Sequence, residues 1–429
     1  MRRRTTRLEA LMKKLAVLLG LLSCGLATNV AFAEVRDPLG PWEVLGPDYQ
    51  ASDPLDLSSY EWEYFTIQNE DDSFVGIIGY VLADPRGSGS SGVALVPAGG
   101  NIAVAGMRPG QSASAEFLTF GLANTFASST EKVMYVDDPG SDHFANIEPA
   151  PGATSADPAL VLTGRSADYE WDLVVTPDFE EYLPLKEASP DAAFSAVRGD
   201  DVGLLAGEHW TVDAVWPRTH VSGTMVERAS GTVIPIDAKG YRENSFGRYL
   251  LSLDGWDFAV FSDTDKRVQT MFQTYHRSTT IDYFDIAFPD ENGQAQNVRF
   301  RPSRGELGWF HPNWTFDGRA KQCVPEKTWM IADNGEYRVE LSVDMGASSS
   351  VPYAPFLDDS TIGTAVFFIM EQFPTLNGVV RRADTGQVVT TFAGRAGGEF
   401  AFHKSLFSKR SDLGCWLSFA PVYQHAFPN

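Results

Sequence analysis

Between the apolar-rich stretches 233–236 and 249–253 lies a polar island, Tyr241-Arg242-Glu243-Asn244. A polar group left unpaired in an apolar interior costs about 1–3 kcal/mol, so such an island is either satisfied structurally or put to use. Glu243 is the first catalytic candidate. Desolvation favours the neutral form of a carboxyl group, and a carboxyl kept protonated near neutrality can act as a general acid. Protonating an alkene creates a carbocation, which the π faces of Trp62, Tyr64 and Trp256 can stabilise. The structural alternative has Glu243 paired with Arg242 or Arg248, or closing a loop. Tyr241 reads as a proton donor or as a core or interface tyrosine, and Asn244 as a residue that orients water or closes a turn. Asp257, in an aromatic segment, reads as a member of the acid–base set or as an outward-facing solvated acid. His403 is a lone histidine late in the chain, either a general base or structural.

Other chemistries find little support. There is no G-x-S-x-G, no Gly-rich phosphate loop and no H-E-x-x-H. The seven histidines lack metal-ligand spacing, so neither a metal nor another cofactor is expected. The chain carries a net charge of −22 with no Lys/Arg run beyond residue 14. That balance argues against a nucleic-acid partner, which needs a basic footprint, and against an anionic membrane surface. The expected partner is a small apolar substrate or ligand.

These residues must be positioned by strands. Residues 60–64, Tyr-Glu-Trp-Glu-Tyr, alternate aromatic and acidic side chains, the period-2 mark of a strand with one buried face. Residues 168–174 repeat that alternation, and further strands are expected over 74–81, 211–215, 256–261, 270–275, 281–288, 337–343 and 364–370. Glu291-Asn292-Gly293, Asp333-Asn334-Gly335 and Asp384-Thr385-Gly386 read as turns, as do Gly99-Gly100 and Gly397-Gly398. Ser88-Gly89-Ser90-Ser91-Gly92 reads as a hairpin tip, residues 137–157 as a long surface loop, and residues 191–205 as room for a short helix. Many short strands with frequent turns indicate an all-β protein of barrels or sandwiches.

With 429 residues, two or three domains are expected. Residues 1–33 have the form of a bacterial signal peptide: Arg2, Arg3, Arg4, Arg7, Lys13 and Lys14, an apolar run over 15–26, and Ala31-Phe32-Ala33 before Glu34. The run is too short for a spanning helix. A lipid-attachment reading of Leu21-Leu22-Ser23-Cys24 is weakened by Leu22. Periplasmic or secreted location with cleavage after Ala33 is therefore expected. The 28 Lys/Arg and 55 Asp/Glu that remain give the mature chain a net charge of −27. An extension over 34–56, a first β domain with its linker over 57–207 and a second over 208–429 complete the division. Cys323 and Cys415 either pair in an oxidising compartment or remain free.

A longer pattern joins these pieces. Gly240-Tyr241-Arg242-Glu243-Asn244-Ser245-Phe246-Gly247 precedes Trp256-Asp257-Phe258, with Trp210 to Pro217 upstream and Gly397-Gly398-Glu399-Phe400 downstream. This arrangement resembles the lipocalin-like superfamily of carotenoid hydratases (hydroxyneurosporene synthases), kievitone hydratase, tocopherol cyclase-like proteins and fungal Diels–Alderases. Gly240, Tyr241, Glu243, Phe246 and Gly247 match its G-Y-H-[DE]-[HN]-N-[WF]-G-like segment, and Arg242 departs from it where His is expected. Residues 60–65 resemble its opening W-[WE]-Y-F strand. The resemblance implies two tandem antiparallel calycin/lipocalin-like β-barrels with a hydrophobic site at or near their junction. It also implies chemistry without metal or nucleotide, of hydratase, cyclase or pericyclase type, on an isoprenoid or polyene. Glu243, Tyr241, Asn244 and Asp257 then stand as catalytic candidates, and Trp62, Tyr64, Trp256, Phe246 and His403 as substrate contacts. A non-catalytic carrier of apolar ligands fits the same fold.

Overall fold

Alternation of buried and solvated side chains runs through the strands. In β9 (Tyr169–Pro177), Tyr169, Trp171, Leu173 and Val175 are buried while the intervening side chains are not. In β19 (Tyr337–Asp344), Tyr337, Val339, Leu341 and Val343 repeat the pattern. The computed structural model describes residues 59–83, 99–120, 124–127, 134–137, 140–154, 157–177, 195–200, 209–248, 255–263, 265–275, 283–301, 304–317, 322–346, 350–353 and 368–402. All belong to one unit spanning residues 36–429. Their regular elements are β-strands throughout, with no α-helix among the described residues. The chain is an all-β, barrel-type protein.

The first sheet has twelve strands. On one side of β1 (Ser59–Asn69) lie β2 (Val75–Ala83), β3 (Gly99–Met107) and β4 (Ser114–Phe120). On the other lie β12 (Thr232–Arg248), β11 (His209–Glu227), β9, β8 (Leu160–Arg165), β7 (Phe144–Pro149), β6 (Met134–Asp137) and β5 (Thr125–Ala127). A further strand, β10 (Ser195–Asp200), pairs with β11. Phe65, Ile67, Tyr80, Ile102, Trp171, Leu173, Trp216 and Ile234 are part of one core on a single face.

A second sheet of seven strands runs in the order β16 (Ala295–Phe300), β15 (Tyr283–Pro289), β14 (Val268–Tyr275), β13 (Gly255–Asp263), β24 (Gly397–Phe402), β21 (Phe368–Gln372) and β20 (Ser350–Tyr353). A third has five strands: β17 (Leu307–Asp317), β18 (Gln322–Asp333), β19, β22 (Thr375–Arg382) and β23 (Val388–Arg395). These two sheets share a core that includes Phe261, Phe272, Phe284, Trp309, Met330, Leu341 and Phe392.

Several expectations need correction. Residues 209–248, assigned to the second domain, are hydrogen-bonded into the first sheet: β1 pairs along its whole length with residues 238–248 of β12, and β11 pairs with β12 and β9. The change of sheet falls between Arg248 and Gly255. Within 191–205, residues 195–200 form a strand, not a helix. The loop expected over 137–157 contains β7, whose Ala145 and Ile147 enter the first core. Gly99-Gly100 and Gly397-Gly398 open strands instead of forming turns. The three other turns stand, with Gly293, Gly335 and Gly386 at φ of 77°, 85° and 70°. The expected hairpin tip at 88–92 and the leader 1–33 lie outside the described residues.

Candidate functional site

Antiparallel pairing of β1 with β12 sets Tyr64 opposite Glu243 and Thr66 opposite Tyr241. Cross-strand partners share a face, and this face is the one turned from the first core toward the second sheet. Phe258 of β13 meets it. Its ring lies 5.8 Å from Tyr64 edge-to-face, and 5.9 Å from Tyr241. The Tyr241 hydroxyl donates to Glu243 Oε2 at 2.8 Å, and the Tyr64 hydroxyl donates to Glu371 Oε2 at 3.5 Å. Phe258 is directly paired with Glu399 on β24, which is paired in turn with Glu371 on β21. Tyr64, Tyr241, Glu371 and Glu399 are buried, and Glu243 is half-buried. Two tyrosine–glutamate couples thus flank one phenylalanine between two sheets. Such a set can move a proton beside an apolar surface.

Glycine permits the close approach of strands here. A Cβ on Gly240, beside Tyr241, would fall 2.2 Å from the Thr66 carbonyl oxygen. One on Gly398, beside Glu399, would fall 2.1 Å from the Phe258 carbonyl oxygen.

Alternation sends the neighbours to the opposite faces. Arg242 does not pair with Glu243. It enters the first core, where Nε and Nη2 donate to Glu63 at 2.8 and 3.0 Å and the guanidinium lies 4.5 Å from the Trp216 ring. Asp257 is no solvated acid either. It is buried on the far face of β13, with Oδ2 3.2 Å from His311 Nε2. Nδ1 of His311 is 2.8 Å from Thr328 Oγ1.

Of the expected site residues, the structure therefore gathers Tyr64, Tyr241 and Glu243, and separates Asp257 from them. Trp62, Asn244, Phe246 and Trp256 are placed by backbone only, opposite Ser245, Glu63, Glu61 and Ala401 respectively. His403 lies outside the described residues. Phe258, Glu371, Glu399 and His311 were not anticipated. Glu399 lay within the Gly397-Gly398-Glu399-Phe400 pattern, and Glu371 is an acid at the end of an apolar run, a weak but readable signal.

Fold and site together define an all-β protein with acid–base groups between packed sheets. Among solved structures, the chain is similar to an AttH-like protein of Nitrosomonas europaea at 15% identity, covering 86% of this chain and 99% of that one, with a TM-score of 0.49. It is also similar to CghA, at 10% identity over 88% of this chain and 97% of the other, with a TM-score of 0.48. Kievitone hydratase from Nectria haematococca is similar at 10% identity over 87% and 99%, with a TM-score of 0.46. No protein-family model and no curated protein matched the sequence. A shared chain path at such identities does not transfer a reaction.

Proposed function

We propose that the protein is an exported, cofactor-independent enzyme of hydratase or cyclase type, acting on an apolar isoprenoid or polyene held between the first and second sheets. The observation that carries this reading is the Tyr241–Glu243 hydrogen bond of 2.8 Å beside the Phe258 ring. Hydration of an alkene needs a proton delivered to one carbon, a water oxygen bonded to the other, and a base for the proton which that water releases. Cyclisation needs the same proton transfers, with the final proton lost from a carbon. Glu243 has a carboxyl group hydrogen-bonded to a phenol at the edge of an aromatic surface, which suits it to one of those transfers. The leader-like residues 1–33 support export.

Mass spectrometry of the apolar molecule that co-purifies with the chain identifies the substrate class. A product heavier by one water marks a hydratase, and one of unchanged mass marks a cyclase or pericyclase. Glu243→Gln keeps the shape and removes the transferable proton. Turnover should fall roughly 100-fold, the usual scale for a lost acid or base, with little change in Tm. A destabilised variant that retains full activity per folded molecule would overturn the assignment. Binding without any product would leave a carrier.

A further inference from the structure

Strands β13 and β24 divide their side chains between two faces. The pair Phe258 and Glu399 meets the inter-sheet site, while the adjacent pair, Asp257 and Phe400, faces the third sheet. On that side His311 is 1% exposed and boxed in. Asp257 Oδ2 lies 3.2 Å from Nε2, Thr328 Oγ1 lies 2.8 Å from Nδ1, and the Trp314 ring stands edge-on at 5.2 Å. Trp314 in turn meets Phe400 edge-on at 6.1 Å. The pairing of β17 with β18 breaks register between Phe310 and Asn313, across His311-Pro312. Such a bulge re-aims a side chain out of the regular alternation: His311 keeps the buried period of Leu307 and Trp309, and the break brings Trp314 onto that same face beside it.

Assembling an imidazole and a carboxylate in a core is costly, and apolar residues of the same volume would hold two sheets together as well. What the polar pair adds is a fixed position. We infer that His311, with Asp257 and Thr328, is a positioning residue for the inter-sheet site, acting along β13 to hold Phe258 against Tyr64 and Tyr241. This inference rests on reading that site as the place where an apolar polyene binds. The lever is one residue long. Asp257 lies against His311 of the third sheet, Phe258 follows it directly, and β24 packs so closely on β13 that a Cβ on Gly398 would fall 2.1 Å from the Phe258 carbonyl oxygen.

The test is a double-mutant cycle on the full chain, read by binding of all-trans-retinol, a fluorescent isoprenoid polyene. Phe258→Ala and His311→Gln are each expected to raise the Kd about tenfold, within the range of coupling seen between residues of one network. The double variant should bind no more weakly than Phe258→Ala alone, because the effect of His311 passes through that ring. Thr328→Val, which keeps shape and removes the Nδ1 partner, should behave like His311→Gln if the latter folds poorly. A purely structural role would lower Tm and leave the Kd unchanged, and that result overturns the inference. Additive losses in the double variant overturn it as well. If the wild-type chain binds no retinol, the reading of the site fails and takes the inference with it. Wild-type binding with additive variants removes the positioning role alone.

Discussion

At residue 242 the sequence departs from the motif it otherwise resembles, and the structure gives the departure a physical reason. Arg242 and Glu63 are both 0% exposed, joined by two parallel hydrogen bonds, with the guanidinium over Trp216. A planar fork needs a carboxylate opposite it, and Glu63 on the neighbouring strand supplies one. Breaking such a pair leaves an uncompensated buried charge. Arg242→Met alone should therefore cost about 3–5 kcal/mol, whereas Glu63→Leu with Arg242→Met should recover most of that loss. Urea unfolding of the three proteins checks this, and a single variant as stable as the double would refute it. Residues of this kind show what a sequence can and cannot disclose. Tyr241 and Glu243 were legible because a polar island between apolar stretches demands an explanation. That Arg242 would turn away from Glu243 follows from strand alternation, but its partner at position 63 does not. The contact of Tyr64 with Glu371 spans 307 positions, and the box around His311 depends on a bulge, so neither leaves a local trace.

Strands and turns were easier to read than the sheets they join. Period-2 alternation marked β1, β9 and β19, whereas the Pro, Gly and acidic residues before position 208 mark a loop without saying which sheet the chain enters next. Register and partner are set by long-range packing: β12 returns to β1, and β11 lies between β12 and β9. The ends of elements from different sheets also meet. Arg382 at the end of β22 donates to both oxygens of Glu291, in the turn after β15, at 2.8 Å each, and to Glu336, in the turn before β19, at 3.1 Å. These hydrogen bonds from Arg382 are the main reason the Glu291 carboxyl is held down from its ordinary 4.5 to about 2. A carboxyl whose pKa is lower in the folded state contributes stability that is complete above about 4.5 and disappears as the pH falls through about 2. The difference in Tm between the wild-type chain and Arg382→Gln should therefore be full above that upper value, shrink between the two, and vanish at the lower one. A difference that persists unchanged at pH 2 would show that Arg382 acts through its stacking on Tyr337, 4.6 Å away, rather than through Glu291.

At the scale of the whole molecule, one covalent bond joins the third sheet to a residue far away in sequence. Cys323, fully buried in β18, is disulfide-bonded, and its partner lies outside the described residues. The sequence offers Cys24, inside the leader-like segment, and Cys415. If the leader is removed after Ala33, only Cys415 remains within the same chain. A 323–415 bridge would close a loop of about 90 residues, which the chain-entropy account values at about 4–5 kcal/mol of stability. Peptide mapping of the non-reduced protein, purified from an oxidising compartment, should then find the Cys323 peptide joined to that of Cys415. Reduction should lower Tm, and the Cys323→Ser, Cys415→Ser double variant should match the reduced wild-type chain and respond no further to reductant. Export and the bridge are tested together, because each constrains the other. A peptide joining Cys323 to Cys24 would sink both, since it requires the leader to stay on the mature protein. Free thiols at both positions, in protein that begins at Glu34, would leave the cleavage standing and remove the bridge.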